Sequence, residues 1–207
     1  MINLPSNWNE IKEFTERPKL PVDAYVCKVK QVAIQNTRNG SPQICVLFDI
    51  FEGEWRNFFA DEYESDTRDN KKWKGVLRLF VPKYDGSKND ETTIRILKGF
   101  ASAFEKSNPG YVFNGDETKL VGKLVGIVFR NEEWEYDGKT GWTARPYRAI
   151  SVADVRSGEF RLPKDKPLKK EENSFAAAPN TYDSYANSYS VPGNFAVLDD
   201  NDSELPF

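Results

Sequence analysis

The stretch from Gly122 to Val155 constrains the fold more than any other part of the chain. It consists of two runs of β-branched and aromatic residues meeting at Asp137-Gly138-Lys139-Thr140-Gly141. A Gly-rich connection of this kind between strand-like runs predicts a β-hairpin. Symmetric closure of a five-residue loop sets Tyr136 opposite Trp142, Trp134 opposite Ala144, Arg130 opposite Arg148 and Val128 opposite Ile150. Side chains alternate across a strand, so all of these share one face. The other face then carries Val125, Ile127 and Phe129 near the base and a Glu133–Arg145 pair further out. Three aromatics and two arginines on the distal half of a hairpin supply planes for stacking and cations for phosphates, the two needs of a single-stranded nucleic acid. The same residues also fit a plainer role, with the tryptophans closing the end of a barrel and the arginines paired to nearby glutamates. The hairpin alone leaves both open.

Upstream, residues 24–34 form a first strand in which Tyr25, Cys27 and Val29 alternate with Val26, Lys28 and Lys30. A turn-rich loop with one cation, Arg38, precedes a second strand at 43–51, and Trp55 to Phe59 resumes an extended run after Glu52-Gly53-Glu54. Residues 61–74 read as a long charged loop, and Val76 to Pro82 as a third strand. The period then changes. Ile94, Leu97, Ala101 and Phe104 fall on one helical stripe, with Asp90 as N-cap and Asn108-Pro109-Gly110 as the stop. This is the only helix of the body that the pattern predicts firmly. A shorter one is expected from Ser6 through Trp8, Ile11 and Phe14, packing on the body as a lid.

Three strands, one helix and two strands is the element order of the OB-fold, a mainly β, five-stranded Greek-key barrel with a helix between its third and fourth strands. The expected division is an N-terminal extension over 1–23, the barrel over 24–156, a basic exit and disordered linker over 157–198, and an acidic tail over 199–207.

Charge follows that division. Residues 171–207 hold seven acids and no Lys or Arg, so the net charge of −3 leaves residues 1–170 at +4. A basic body joined to an acidic tail suits a nucleic-acid binder. Histidine is absent, which removes the commonest general base and metal ligand. Asp61, Glu62, Glu64 and Asp66 raise the idea of a metal-dependent nuclease, but nothing else supplies a nucleophile or base. No enzymatic activity, cofactor or metal is expected. Cys27 and Cys45 sit inside strands and read as buried free thiols of a reducing cytoplasm, and no apolar run reaches membrane-spanning length.

The last residues, Asp199-Asp200-Asn201-Asp202-Ser203-Glu204-Leu205-Pro206-Phe207, put an apolar triplet behind clustered acids. Such a segment offers a partner's pocket the Phe207 ring and carboxylate, with Asp199, Asp200, Asp202 and Glu204 steering toward a basic rim. With this ending, and with FDIFEGEW, LKGFASAFEKSNPGY and LVGKLVGIVFRNEEW in the body, the chain resembles the single-stranded DNA-binding proteins of bacteria and phages. The body is more similar to those of phages and mobile elements of Gram-positive bacteria than to the standard bacterial protein. The family's usual ending has aspartate and isoleucine where this chain has Glu204 and Leu205.

The resemblance implies sequence-independent binding of single-stranded DNA in the cytoplasm of a bacterial host, during replication and recombination. It also implies that the tail recruits proteins of those processes. Expected base-stacking residues are Trp55, Tyr84, Trp134, Tyr136 and Trp142; expected phosphate contacts are Lys28, Lys30, Arg78, Arg130, Arg145 and Arg148. Homo-oligomerisation stays open. The alternative is an OB-fold module that binds protein and no nucleic acid.

Overall fold

The structure, a computed structural model, describes residues 3–10 and 18–168. The linker and the docking residues Asp199, Asp200, Asp202, Glu204, Leu205, Pro206 and Phe207 lie outside the described residues, as do Ile11 and Phe14 of the expected N-terminal helix. What is described of that helix is one 3-10 turn, Trp8–Glu10, with no buried residue.

The body is mainly β. Strands β1 (Ala24–Asn36), β2 (Pro42–Ile50), β3 (Val76–Phe80), β4 (Leu124–Tyr136) and β5 (Lys139–Ile150) form one antiparallel sheet in the order β3-β2-β1-β4-β5. Strand β1 holds the sheet together by serving two partners. Its first half, Ala24–Lys28, pairs with Val128–Leu124, and Cys27 onward pairs with β2. A bulge between Val29 and Gln31 shifts the alternation by one residue. Tyr25, Cys27 and Val29 therefore point into the core before the bulge and Val32 after it. The barrel expected from the element order is not closed by hydrogen bonds: among the described residues β3 and β5 are the two edges of the sheet, and no ladder joins them.

Among the described residues three α-helices are added to the strands: α1 (Phe58–Ser65), α2 (Lys88–Ser107) and α3 (Val152–Ser157). Helix α2 lies where the 3.6-residue period placed it, between the third and fourth strands, and buries Phe100 and Phe104. Its cap differs from expectation. Ser87, not Asp90, accepts the capping bond, from Asp90 N at 3.2 Å. The buried Asp90 carboxylate instead accepts from Lys83 N at 2.7 Å and Asp85 N at 3.0 Å, which pins the loop before the helix. At the other end Asn108 bridges the helix to β4, donating through Nδ2 to Phe104 O and Leu124 O, each at 2.8 Å.

Helix α1 corrects two expectations, the extended run at Trp55–Phe59 and the charged loop beyond it. Its capping group is remote in sequence. Asp49, 2% exposed at the end of β2, accepts from Ile50 N at 2.9 Å, Phe59 N at 3.1 Å and Ala60 N at 3.3 Å. A carboxylate at the first turn satisfies amides that have no partner within the helix and suits the positive end of its dipole. Phe59 is thereby set into the core, edge-on to Phe48 at 5.5 Å and stacked on Phe129 at 6.2 Å. Two of the loop's acids are paired with basic side chains, Glu62 with Lys74 and Asp66 with Arg68.

Helix α3 is capped by Ser151, which accepts from Asp154 N at 3.0 Å. It covers the outer side of β4, with Val155 and Phe160 packed on Ala24, Val128 and Ile150. The chain then returns along β4. Lys166 N donates to Asn131 O and Glu133 N to Lys166 O, both at 2.9 Å, so part of the basic exit lies against the edge of β4. No helix among the described residues is long and apolar enough to cross a membrane, and both cysteines are buried and free.

Candidate nucleic-acid interface

The β4–β5 hairpin turns on two residues, not five. Asp137 and Gly138 carry φ of 51° and 69°, the pair of positive values that a type I′ turn demands. Lys139, Thr140 and Gly141 belong to β5. The register therefore shifts by three residues from symmetric five-residue closure: Tyr136 pairs with Lys139, Trp134 with Gly141, Glu133 with Trp142, Asn131 with Ala144 and Arg130 with Arg145. An odd shift moves side chains to the other face, so β5 from Lys139 to Pro146 is reversed, while Arg148 and Ile150 beyond a bulge keep the face of Val128. Trp134 and Trp142, expected on one surface, therefore belong to opposite faces of the arm. The expected Glu133–Arg145 pair is likewise absent from the ladder, and Glu133 Oε2 accepts from Leu168 N at 3.0 Å. A second bulge, between Val128 and Phe129, leaves Tyr147 as the extra residue on β5.

Both faces of this arm contribute to one large groove, of about 2280 Å³. Its other walls come from β3, α1, α2, the β1–β2 loop around Arg38 and the segment around Lys72 and Trp73. Ten Lys and Arg side chains line it against four Asp and Glu. Trp134 and Trp142 are each 39% exposed in it.

The expected contacts divide. Trp55, Trp134, Trp142, Arg78, Arg130 and Arg145 line the groove. Trp55 is half-buried there, edge-on to Phe58 at 5.6 Å. Lys28, Lys30, Tyr84, Tyr136 and Arg148 are not among its lining residues. Arg148 stands opposite Val128 and donates to Arg161 O at 3.2 Å. Lys28 Nζ lies over the Phe51 ring, 5.6 Å from its centre, and Lys30 lines a separate, smaller pocket. Tyr84 and Tyr136 are largely exposed, Tyr84 in the loop before α2 and Tyr136 beside the hairpin turn.

Within the groove, Arg130 is already engaged. Its Nη2 donates to Glu132 and its guanidinium lies 4.5 Å from the centre of the Tyr147 ring, while its Nε is buried without a partner. Here the plainer reading, an arginine paired to a nearby glutamate, describes one side of the guanidinium. Directly opposite stands Arg145. Gln43, also lining the groove, has a second partnerless buried atom, Oε1.

No protein-family model matches the chain, and no curated protein matches it either.

The sequence reading missed Arg56, Lys72, Lys74 and Lys83 among the lining cations, and Phe80 and Tyr147 among the aromatics. Arg38 was visible as the single cation of its loop, but nothing local showed that this loop borders the groove. Among the described residues no three His, Cys, Asp or Glu side chains are grouped to hold a metal ion.

Proposed function

We propose that this groove binds single-stranded DNA without sequence preference, as the resemblance to bacterial and phage single-stranded DNA-binding proteins implies. The observation that carries the reading is the composition of the groove: a ten-to-four excess of basic over acidic side chains interleaved with exposed tryptophans. Stacking on an indole accepts any base, because every base has a π-face, and a basic track follows the backbone whatever its sequence. The body is read as an OB-fold opened at one seam. In support, β1 is shared between β2 and β4, a helix separates the third and fourth strands, and the edges β3 and β5 approach within 8 Å at their Cα atoms. The acidic segment Asp199–Phe207 serves in this proposal as the docking peptide for replication and recombination proteins. The reading assigns no catalysis.

The test is tryptophan fluorescence of the full chain titrated with poly-dT, with duplex DNA as competitor, at several salt concentrations. Quenching that duplex DNA reverses poorly and that weakens as salt rises supports the proposal. Absence of both quenching and salt-sensitive binding overturns it and favours a protein-binding module.

A further inference from the structure

Lys30, set aside from the groove, leads to a second site. It lines a pocket of about 400 Å³ with Leu47 on the outer face of β2, Ala60 and Tyr63 on α1, and Lys71, Lys72 and Trp73. We propose that this pocket is an additional nucleotide subsite, and that a strand bound in the groove reaches it by passing round Trp73. The inference rests on the groove reading above and extends the length of strand that the protein holds.

Four observations carry it. First, the pocket adjoins the groove, because Lys72 and Trp73 line both. Second, its charge has one sign: three lysines line it and no Asp or Glu does. The Lys71 ammonium lies over the Tyr63 ring, 4.5 Å from its centre. A cation held by a ring face keeps more of its attraction for an incoming phosphate than one held by a carboxylate. Third, the walls suit a flat apolar ring. Tyr63 and Trp73 stand 5.8 Å apart at 47° to one another, and Leu47 and Ala60 add aliphatic surface. Fourth, the shared wall is fixed, since Trp73 Nε1 donates to Phe48 O at 3.0 Å and so holds the indole to the sheet. A site of a few hundred cubic ångströms with an aromatic wall and convergent cations has the size and chemistry to take one nucleotide. A free anion would not need the two rings, and an acidic peptide would not need continuity with the groove.

The experiment uses the full chain and oligo-dT of increasing length, from about 4 to about 16 nucleotides, the span of OB-fold site sizes. Wild-type affinity should keep rising after the groove is filled, as the strand reaches the pocket. Tyr63→Ala should bind the longer oligomers about ten-fold more weakly and the shorter ones normally, the loss expected for one stacked base. Lys30→Gln and Lys71→Gln, which do not depend on α1 staying folded around position 63, should each lower the salt slope by about 0.7 for the longer oligomers only. Variants that match wild type at every length overturn the subsite, and so do variants that weaken short and long oligomers alike. In both cases the groove reading survives. A wild-type chain that binds no oligomer at any length removes both proposals together.

Discussion

Trp134 packs onto Gly141, its partner across the β4–β5 ladder, so closely that a Cβ at position 141 would stand 2.6 Å from Trp134 Cζ2. Gly141 has no positive φ, so its backbone suits any residue and the constraint is the indole alone. Gly141→Ala should therefore leave the fold intact and push the Trp134 side chain out of its present position. With Trp134 as a stacking platform, single-stranded DNA binding should weaken by about 1 kcal/mol, the low end for one base, with a shift in tryptophan emission. Titration with oligo-dT and an emission spectrum check this. An emission shift with unchanged affinity would remove Trp134 from the interface.

Arg78 and Arg148 are both strand arginines expected to touch phosphate, and the structure separates them. Arg78 lines the groove, and Arg148 donates to Arg161 O outside it. Arg78→Gln should lower the slope of log affinity against log salt by about 0.7, the release per phosphate neutralised on a single strand. Arg148→Gln should leave that slope unchanged. Equal slopes for the two variants, in either direction, would show that the groove does not define the DNA path.

The elements that the sequence predicted well are those whose signal is local. Alternation in β1 and β4 and the stripe from Ile94 to Phe104 each follow from residues a few positions apart, and each element stands where its period placed it. What was hidden depends on distant or finely balanced groups. Helix α1 buries only Phe59, so it has no stripe to read, and its cap comes from Asp49 on another element. The hairpin register depended on whether Lys139-Thr140-Gly141 joined the turn or the strand. Asp137 accepting a positive φ decided it, and the three-residue shift then exchanged the faces of β5 from Lys139 to Pro146. The groove was legible in kind, as aromatics beside arginines, but its membership was not. Arg38, Arg56 and Lys83 come from three separate loops that only the tertiary fold brings to one surface.

Asp49 offers a test of how α1 is held. Its carboxyl is pushed above the usual carboxylate range by burial, which outweighs the bonds from the Phe59, Ile50 and Ala60 amides. Asp49→Ala would orphan those amides, at roughly 1–3 kcal/mol for each one that water cannot reach. The expected result is a loss of about 2–3 kcal/mol in urea unfolding and faster amide exchange across residues 58–65. Asp49→Asn keeps one carbonyl acceptor and removes the buried charge, so it should lose clearly less. Equal losses in the two variants would mean that the side chain acts by packing and not as a cap.

Two neighbouring groups on β1 should contribute to the alkaline limit of the fold. Tyr25 donates to Pro21 O at 2.9 Å, and its hydroxyl is raised above its ordinary value of 10.0, first by burial and then by the nearby Asp23, Cys27 and Glu54. Cys27, wholly buried, is raised well above 9.0 by burial and then by Asp49. Both groups therefore hold their protons to higher pH in the folded chain than in the unfolded one. Their contribution is complete below the unfolded values and is lost as pH climbs past 9.0 and then 10.0 toward the folded ones. Each group should steepen the fall by about 1.4 kcal/mol per pH unit in that window. Tyr25→Phe loses a hydrogen bond, about 1 kcal/mol at neutral pH, but cannot ionise. Its disadvantage should therefore shrink as pH rises and reverse above the ordinary tyrosine range. Urea midpoints from pH 7 to about 11 check this against the free-energy slope. Parallel curves for wild type and variant would show that Tyr25 ionises in the folded chain as it does in the unfolded one.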